Sequence, residues 1–159
     1  MYITYDQYVK LYRPVENFEL LQFEASRYLD KYTTGIDGVK KLKIAFPTDE
    51  DSAASVRHCA AKIIYILSQI QAVENSALAA RGYEKTEGGL KGKIVSSVSA
   101  GNESISYSDS GTQKTIVDAA AMDASAKNKL IGDTVREYLS GVTDANGVNL
   151  LYAGGYPRV

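Results

Sequence analysis

Five apolar residues, Val56, Ala60, Ile63, Leu67 and Ile70, follow one another in alternating steps of four and three. That rhythm tracks the 3.6-residue turn of an α-helix and draws one seam along it. A strand would scatter the same residues over both of its faces. Cys59 and Ile64 broaden the seam. Thr48 offers an N-cap, and Asp49, Glu50 and Asp51 fill the first turn, where free amides and the helix dipole favour carboxylates. The helix is expected to continue through Ala80 and to stop at Gly82. Its seam is the expected centre of the core.

Two helices are expected before it. Thr4 with Gln7 forms a capping-box pattern, and Tyr5, Tyr8, Val9 and Tyr12 recur at helical spacing. Pro14 suits the start of a second helix running from about Val15 to Tyr32. Phe18, Leu21, Ala25, Tyr28, Leu29 and Tyr32 make its stripe, and Thr33, Thr34 and Gly35 stop it. Ile36 to Pro47 reads as a connector, with Lys40, Lys41 and Lys43 as a short solvated basic run.

From Glu87 the composition turns to Gly, Ser and β-branched residues. Gly101-Asn102 is a two-residue turn signal between alternating runs, which predicts a β-hairpin over about 92–109. Counting outward from the turn, Val98 faces Ile105 and Ser96 faces Tyr107, while Ser99 paired with Ser104 and Ser97 paired with Ser106 line a hydroxyl face. An isolated hairpin is marginal in water, so it must lean on the helices or on a neighbour. A last helix is expected from Gln113 to Leu139, helped by its Ala-rich middle and ended by Gly141. Residues 141–159 form a tail, in which turn signals flank Val148 to Tyr152. The expected fold is therefore mainly α: a single domain over 1–159, with a small bundle of about four helices (residues 4–82 and 113–140) and an inserted β-hairpin or long loop. The 159 residues suit one modest core.

No constellation for catalysis emerges. The single histidine, His58, precedes the single cysteine, Cys59. Neighbours on a helix point about 100° apart, so the expected arrangement is a solvent-facing His beside a packed Cys. Gly88, Gly89, Gly92 and Lys93 have the wrong spacing for a phosphate loop, and Ile94 stands where a metal-binding hydroxyl is needed. They read as a flexible entry into the hairpin. Asp144, Asn146 and Asn149 around Gly147 are too closely spaced for a calcium loop and read as a turn. Asn102-Glu103-Ser104 is formally a glycosylation acceptor, without a secretion signal to give it meaning. One cysteine allows no intrachain disulfide and no multi-Cys metal site. The expectation is a chain without enzymatic activity and without a cofactor or metal.

Charge narrows the partners. With 18 basic and 19 acidic residues, the formal net charge is −1. No strong field holds nucleic acid, and no single helix gathers Arg, Lys and Asn on one face. The polar start, MYITYDQYVK, lacks the charged stretch and apolar run of a signal peptide, and the apolar run Ile63 to Leu67 is far too short to span a bilayer. A soluble protein without membrane contact is expected. Twelve tyrosines and no tryptophan suit surfaces that become buried in assemblies.

The segments ITYDQYVKLY, FEASRYLDKYTTG, VRHCAAKIIYILSQ, GKIVSSVSAGNESISYS and REYLSGVTDANGVNLLYAGGYP together resemble head–tail connector proteins of tailed bacteriophages and prophages. The resemblance runs from Tyr2 to Pro157, and its most specific parts are the Ser-rich hairpin and the C-terminal segment. It implies a structural virion protein, made in the host cytoplasm and placed at the head–tail interface. Such proteins form a ring, commonly of roughly twelve or thirteen subunits. The ring docks under the portal protein, extends the DNA channel for passing double-stranded DNA without sequence specificity, and receives a tail-side stopper or tail completion protein. On this reading Ile94, Val98, Ile105 and Tyr107 carry the packed face of the hairpin, and Leu150, Leu151, Tyr152 and Tyr156 touch the portal or a neighbour. The alternative is a small non-enzymatic DNA- or partner-binding adaptor outside the virion.

Overall fold

A computed structural model describes residues 1–80, 83–86, 89–92 and 115–157. The chain is mainly helical. Its helices are α1 (Tyr5–Val9), α2 (Phe18–Thr33), α3 (Lys41–Ile44), α4 (Glu50–Ala80), α5 (Ile116–Met122) and α6 (Ala124–Leu139). A short antiparallel ribbon joins β1 (Tyr83–Thr86) to β2 (Gly89–Gly92), with Tyr83 opposite Gly92 and Thr86 opposite Gly89. The ribbon thus takes up Gly89 and Gly92, which read as flexible entry in the sequence. The hairpin expected around Gly101-Asn102 lies outside the described residues.

The long helix α4 is the axis of the fold. Val56, Cys59, Ala60, Ile63, Ile64, Leu67 and Ile70 are all buried, as the four–three seam requires. α2 packs on it through Leu21, Ala25 and Leu29, and α6 through Ile131, Val135 and Leu139. A smaller cluster of Ile66, Ile70 and Ala120 ties α5 to the C-terminal half of α4. At the N-terminus Tyr8 is fully buried, its ring stacked 5.7 Å from Tyr12, which in turn stacks 4.9 Å from Tyr65 on α4.

Local chemistry explains where helices start. Thr4 and Gln7 form the expected capping box on α1. The cap of α4 is Asp49, one residue after the expected Thr48; its Oδ1 accepts from the Ser52 amide at 2.8 Å. That amide, with the Ser52 side chain next, holds the Asp49 carboxyl below its ordinary value. α2 starts at Phe18 rather than near Val15, because Asn17 adopts a left-handed conformation (φ 54°) that no helix can pass through.

The helix count departs from about four for two reasons. The connector from Ile36 to Pro47 contains the one-turn helix α3. The helix expected from Gln113 to Leu139 is two helices, broken at Asp123. Asp123 is extended, and its carboxylate accepts from the amides of Ser125 and Ala126 to start α6. Thr115 and Asp118 close a second capping box on α5. Gly141 (φ +77°) follows the end of α6, the left-handed stop expected there.

Candidate interface and the C-terminal clamp

The tail folds back onto its own domain. Its first turn is built by Asp144, whose Oδ1 accepts from the amides of Asn146 and Val148, both at 2.9 Å. Asn149 accepts from the Leu151 amide at 2.8 Å and bridges to Thr143. These bonds make the plain turn that the spacing of Asp144, Asn146 and Asn149 suggests. Among the described residues no group of acidic, His or Cys side chains could hold a metal ion.

The tail is held by Lys41, on α3. This residue is completely buried, which corrects its reading as part of a solvated run. Its ammonium donates to the carbonyls of Asn149 at 3.3 Å, Leu150 at 3.2 Å and Tyr152. Three donors meet three acceptors, so the group's hydrogen-bonding capacity is filled. The Tyr152 ring lies 5.6 Å beneath the charge. Burial lowers the Lys41 pKa, and the nearby carboxylates of Asp144 and then Asp37 oppose that shift. Lys40 and Lys43 remain exposed, with Lys43 paired to Asp30 at 3.3 Å.

The loop before α3 completes the clamp. The Ile36 amide donates to the Ala153 carbonyl at 2.9 Å. The Tyr156 amide donates to Asp37 at 2.6 Å, and the Tyr156 hydroxyl donates to Asp144 at 2.6 Å. The Asp37 carboxyl is held below its ordinary value, first by the Tyr156 amide and next by that of Val39. The backbones meet at Gly35, where a Cβ would lie 2.6 Å from the Gly154 carbonyl oxygen. Only glycine permits that approach.

The residues expected at an interface divide accordingly. Ile94, Val98, Ile105 and Tyr107 lie outside the described residues. Leu150 is buried in the chain's own core, Leu151 and Tyr156 are half-buried, and Tyr152 is exposed. His58 faces solvent and Cys59 is packed, as a helix places neighbours. Burial pushes the Cys59 thiol up to about 12, which leaves it protonated and a poor nucleophile near neutral pH.

Two features were not visible in the sequence. One is a set of large apolar side chains left more than half exposed: Leu20 and Phe23 on α2, Ile36 and Ile44 around α3, Ile116 and Met122 on α5, and Met1 and Tyr152 near the ends. The other is a cleft of about 500 Å³ between α2 and α6, lined by Glu24, Arg27, Tyr28, Lys31, Lys127 and Asn128. Beside the cleft the two helices are tied together, the Tyr32 hydroxyl donating to the Asn128 carbonyl at 2.7 Å. No helix of the described residues is long and apolar enough to cross a membrane. Compared with known proteins, the chain matches no family model, no curated protein and no solved structure.

Proposed function

We propose that this chain is a head–tail connector subunit of a tailed phage or prophage. It would form a ring between the portal protein and the tail-side stopper or completion protein, without catalysis and without a cofactor. The resemblance from Tyr2 to Pro157 supplies the assignment. The structural observation that supports it is apolar surface left exposed on several elements, Leu20 with Phe23 on α2, Ile36 with Ile44 around α3, and Ile116 with Met122 on α5. A ring needs two different surfaces on each subunit, because one patch meets the other on the next copy and the rotation closes. Exposed apolar side chains on different elements offer candidates for such a pair.

The hairpin over 92–109, with Ile94, Val98, Ile105 and Tyr107, belongs to the same proposal as an inter-subunit or channel-facing element. The clamp around Lys41 makes the tail a built part of the subunit rather than a free arm, so Tyr152 is its best contact residue. Light scattering of the purified chain, alone and mixed with the portal protein of the same genome, tests the reading. The expected result is a ring-sized mass in the mixture. A chain that stays monomeric and unbound beside an intact portal would sink it.

A further inference from the structure

We propose that the cleft between α2 and α6 binds backbone phosphates of double-stranded DNA, through Arg27, Lys31 and Lys127. The choice of DNA as the source of the phosphate rests on the connector reading, in which a duplex passes each subunit. The site itself is argued from its chemistry.

Three cations and one carboxylate, Glu24, line the cleft, a local excess of two positive charges in a chain whose formal net charge is −1. Three cations elsewhere are paired, Lys43 with Asp30, Arg57 with Glu50 at 2.7 Å, and Arg136 with Asp133 at 2.7 Å, whereas the cleft brings three cations around one hollow. Among the described residues, Arg27, Lys31 and Lys127 make no ion pair. Arg27 lies over the Phe23 ring at 6.0 Å and Lys31 over the Tyr32 ring at 5.4 Å. A ring face attracts the charge but leaves N–H donors unfilled. The Asn128 carboxamide and the Tyr28 hydroxyl, also in the lining, make no side-chain hydrogen bond within the described residues. A wall of unsatisfied donors around a surplus of positive charge is the complement of a phosphate oxyanion.

Geometry favours an extended backbone over a small enclosed anion. Arg27 and Lys31 stand one turn apart on α2, and both are exposed, while Lys127 reaches across from α6. The cleft follows two turns of α2, from Glu24 to Lys31, and meets α6 near its start, at Lys127 and Asn128. Glu24 keeps the contact weak, which suits DNA that must slide. The absence of a basic helix face in the sequence is no obstacle, because the basic residues are gathered from two helices more than ninety positions apart, as the Tyr32–Asn128 separation of 96 measures.

Fluorescence anisotropy with a labelled duplex of about 30 base pairs, at about 50 to 200 mM salt, tests the inference. The cleft variant is Arg27→Gln/Lys31→Gln/Lys127→Gln. A control of equal charge change is Lys10→Gln/Arg13→Gln/Lys40→Gln, at exposed positions outside the cleft. Circular dichroism and urea midpoints establish that each variant is folded. Expected is at least a tenfold loss of duplex affinity in the cleft variant, with the slope of log affinity against log salt shallower by about 2 to 3. The control should stay near wild type.

Equal losses in both variants would overturn the proposal, since net charge alone would then explain binding. So would a wild-type chain that binds no duplex at low salt. Inorganic phosphate, added alone, gives the third arm: if it binds in the cleft while the duplex does not, the DNA source is wrong. The portal-mixing experiment on the same cleft variant separates the two readings. A variant that still joins the portal ring but binds DNA like wild type defeats the cleft alone. A wild-type chain that binds DNA through the cleft but never joins a portal defeats the connector alone.

Discussion

The ammonium of Lys41 lies 3.2 Å from the carbonyl oxygen of Leu150, deep enough that Lys41 itself has no exposed surface. A buried charge is tolerated only when its desolvation is offset by well-placed partners. Here the partners are main-chain carbonyls of the tail, so one side chain couples the last described segment to α3. Lys41→Met keeps most of the volume and removes the donor. It should destabilise the fold by about 2–4 kcal/mol, because three carbonyls lose a charged donor at once. Hydrogen exchange should rise across residues 142–157 in that variant, while Lys40→Met, at an exposed position, stays within about 0.5 kcal/mol of wild type. Equal unfolding midpoints for the two methionine variants would refute the clamp.

Gly132 sets how closely α6 approaches α2. A Cβ there would lie 2.9 Å from the Tyr32 hydroxyl oxygen and 3.1 Å from its ring carbon Cζ. Gly132→Ala should gain up to about 1 kcal/mol in helix propensity and lose more to overpacking, for a net destabilisation of about 1–2 kcal/mol. Tyr32→Phe removes the nearer atom together with its bond to the Asn128 carbonyl. In a double-mutant cycle by urea unfolding, the double variant should therefore lose less than the sum of the singles. Strict additivity would show that the hydroxyl is not what Gly132 accommodates.

Which parts of this arrangement are legible in the sequence follows from how local their causes are. The seam from Val56 to Ile70 is periodic, so the sequence displays the buried face of α4 directly. The cap at Thr4 is equally local, a side chain and an amide three residues apart. The break at Asp123 is also local, yet the Ala-rich run around it has such high helix propensity that it masks the capping carboxylate. Lys41 could not be read at all. Its acceptors are backbone carbonyls 108 to 111 positions away, and every residue carries a carbonyl. The cleft fails for the same reason, since Arg27 and Lys127 belong to different helices.

Alkaline pH should loosen the fold in a defined window. Burial pushes the Cys59 thiol from 9.0 up to about 12, and burial with the Tyr138 hydroxyl pushes Tyr12 from 10.0 to about 12. Tyr2 and Tyr8 shift upward too, each chiefly by burial. A group whose folded pKa is raised keeps its proton in the native state after the unfolded chain has released it. Its contribution is complete below the unfolded value and disappears as pH rises through the folded one. Stability should thus be level near neutral pH and fall from about pH 9 towards 12. Cys59→Ala removes the earliest of these groups, so its urea midpoint should decline less between about pH 9 and 10. A wild-type midpoint that does not move up to about pH 11 would contradict the burial of these groups.

The exposed apolar residues around α3 separate assembly from folding. Ile36 is 86% exposed and Ile44 60% exposed, so replacing either with serine removes almost no buried area. Ile36→Ser and Ile44→Ser should each leave stability within about 0.5 kcal/mol of wild type. Ile63→Ala, in the fully buried seam, should cost about 2–5 kcal/mol by loss of burial and a residual cavity. If the patch meets a neighbouring copy, the ranking reverses for assembly. The double variant Ile36→Ser/Ile44→Ser should then need at least tenfold more protein to reach half-maximal ring formation on the portal, which is about 1.4 kcal/mol per contact. Light scattering of the serine variant beside wild type reads this directly. Unchanged assembly would remove Ile36 and Ile44 from the contact and leave Leu20 and Phe23 as the apolar surface to test next.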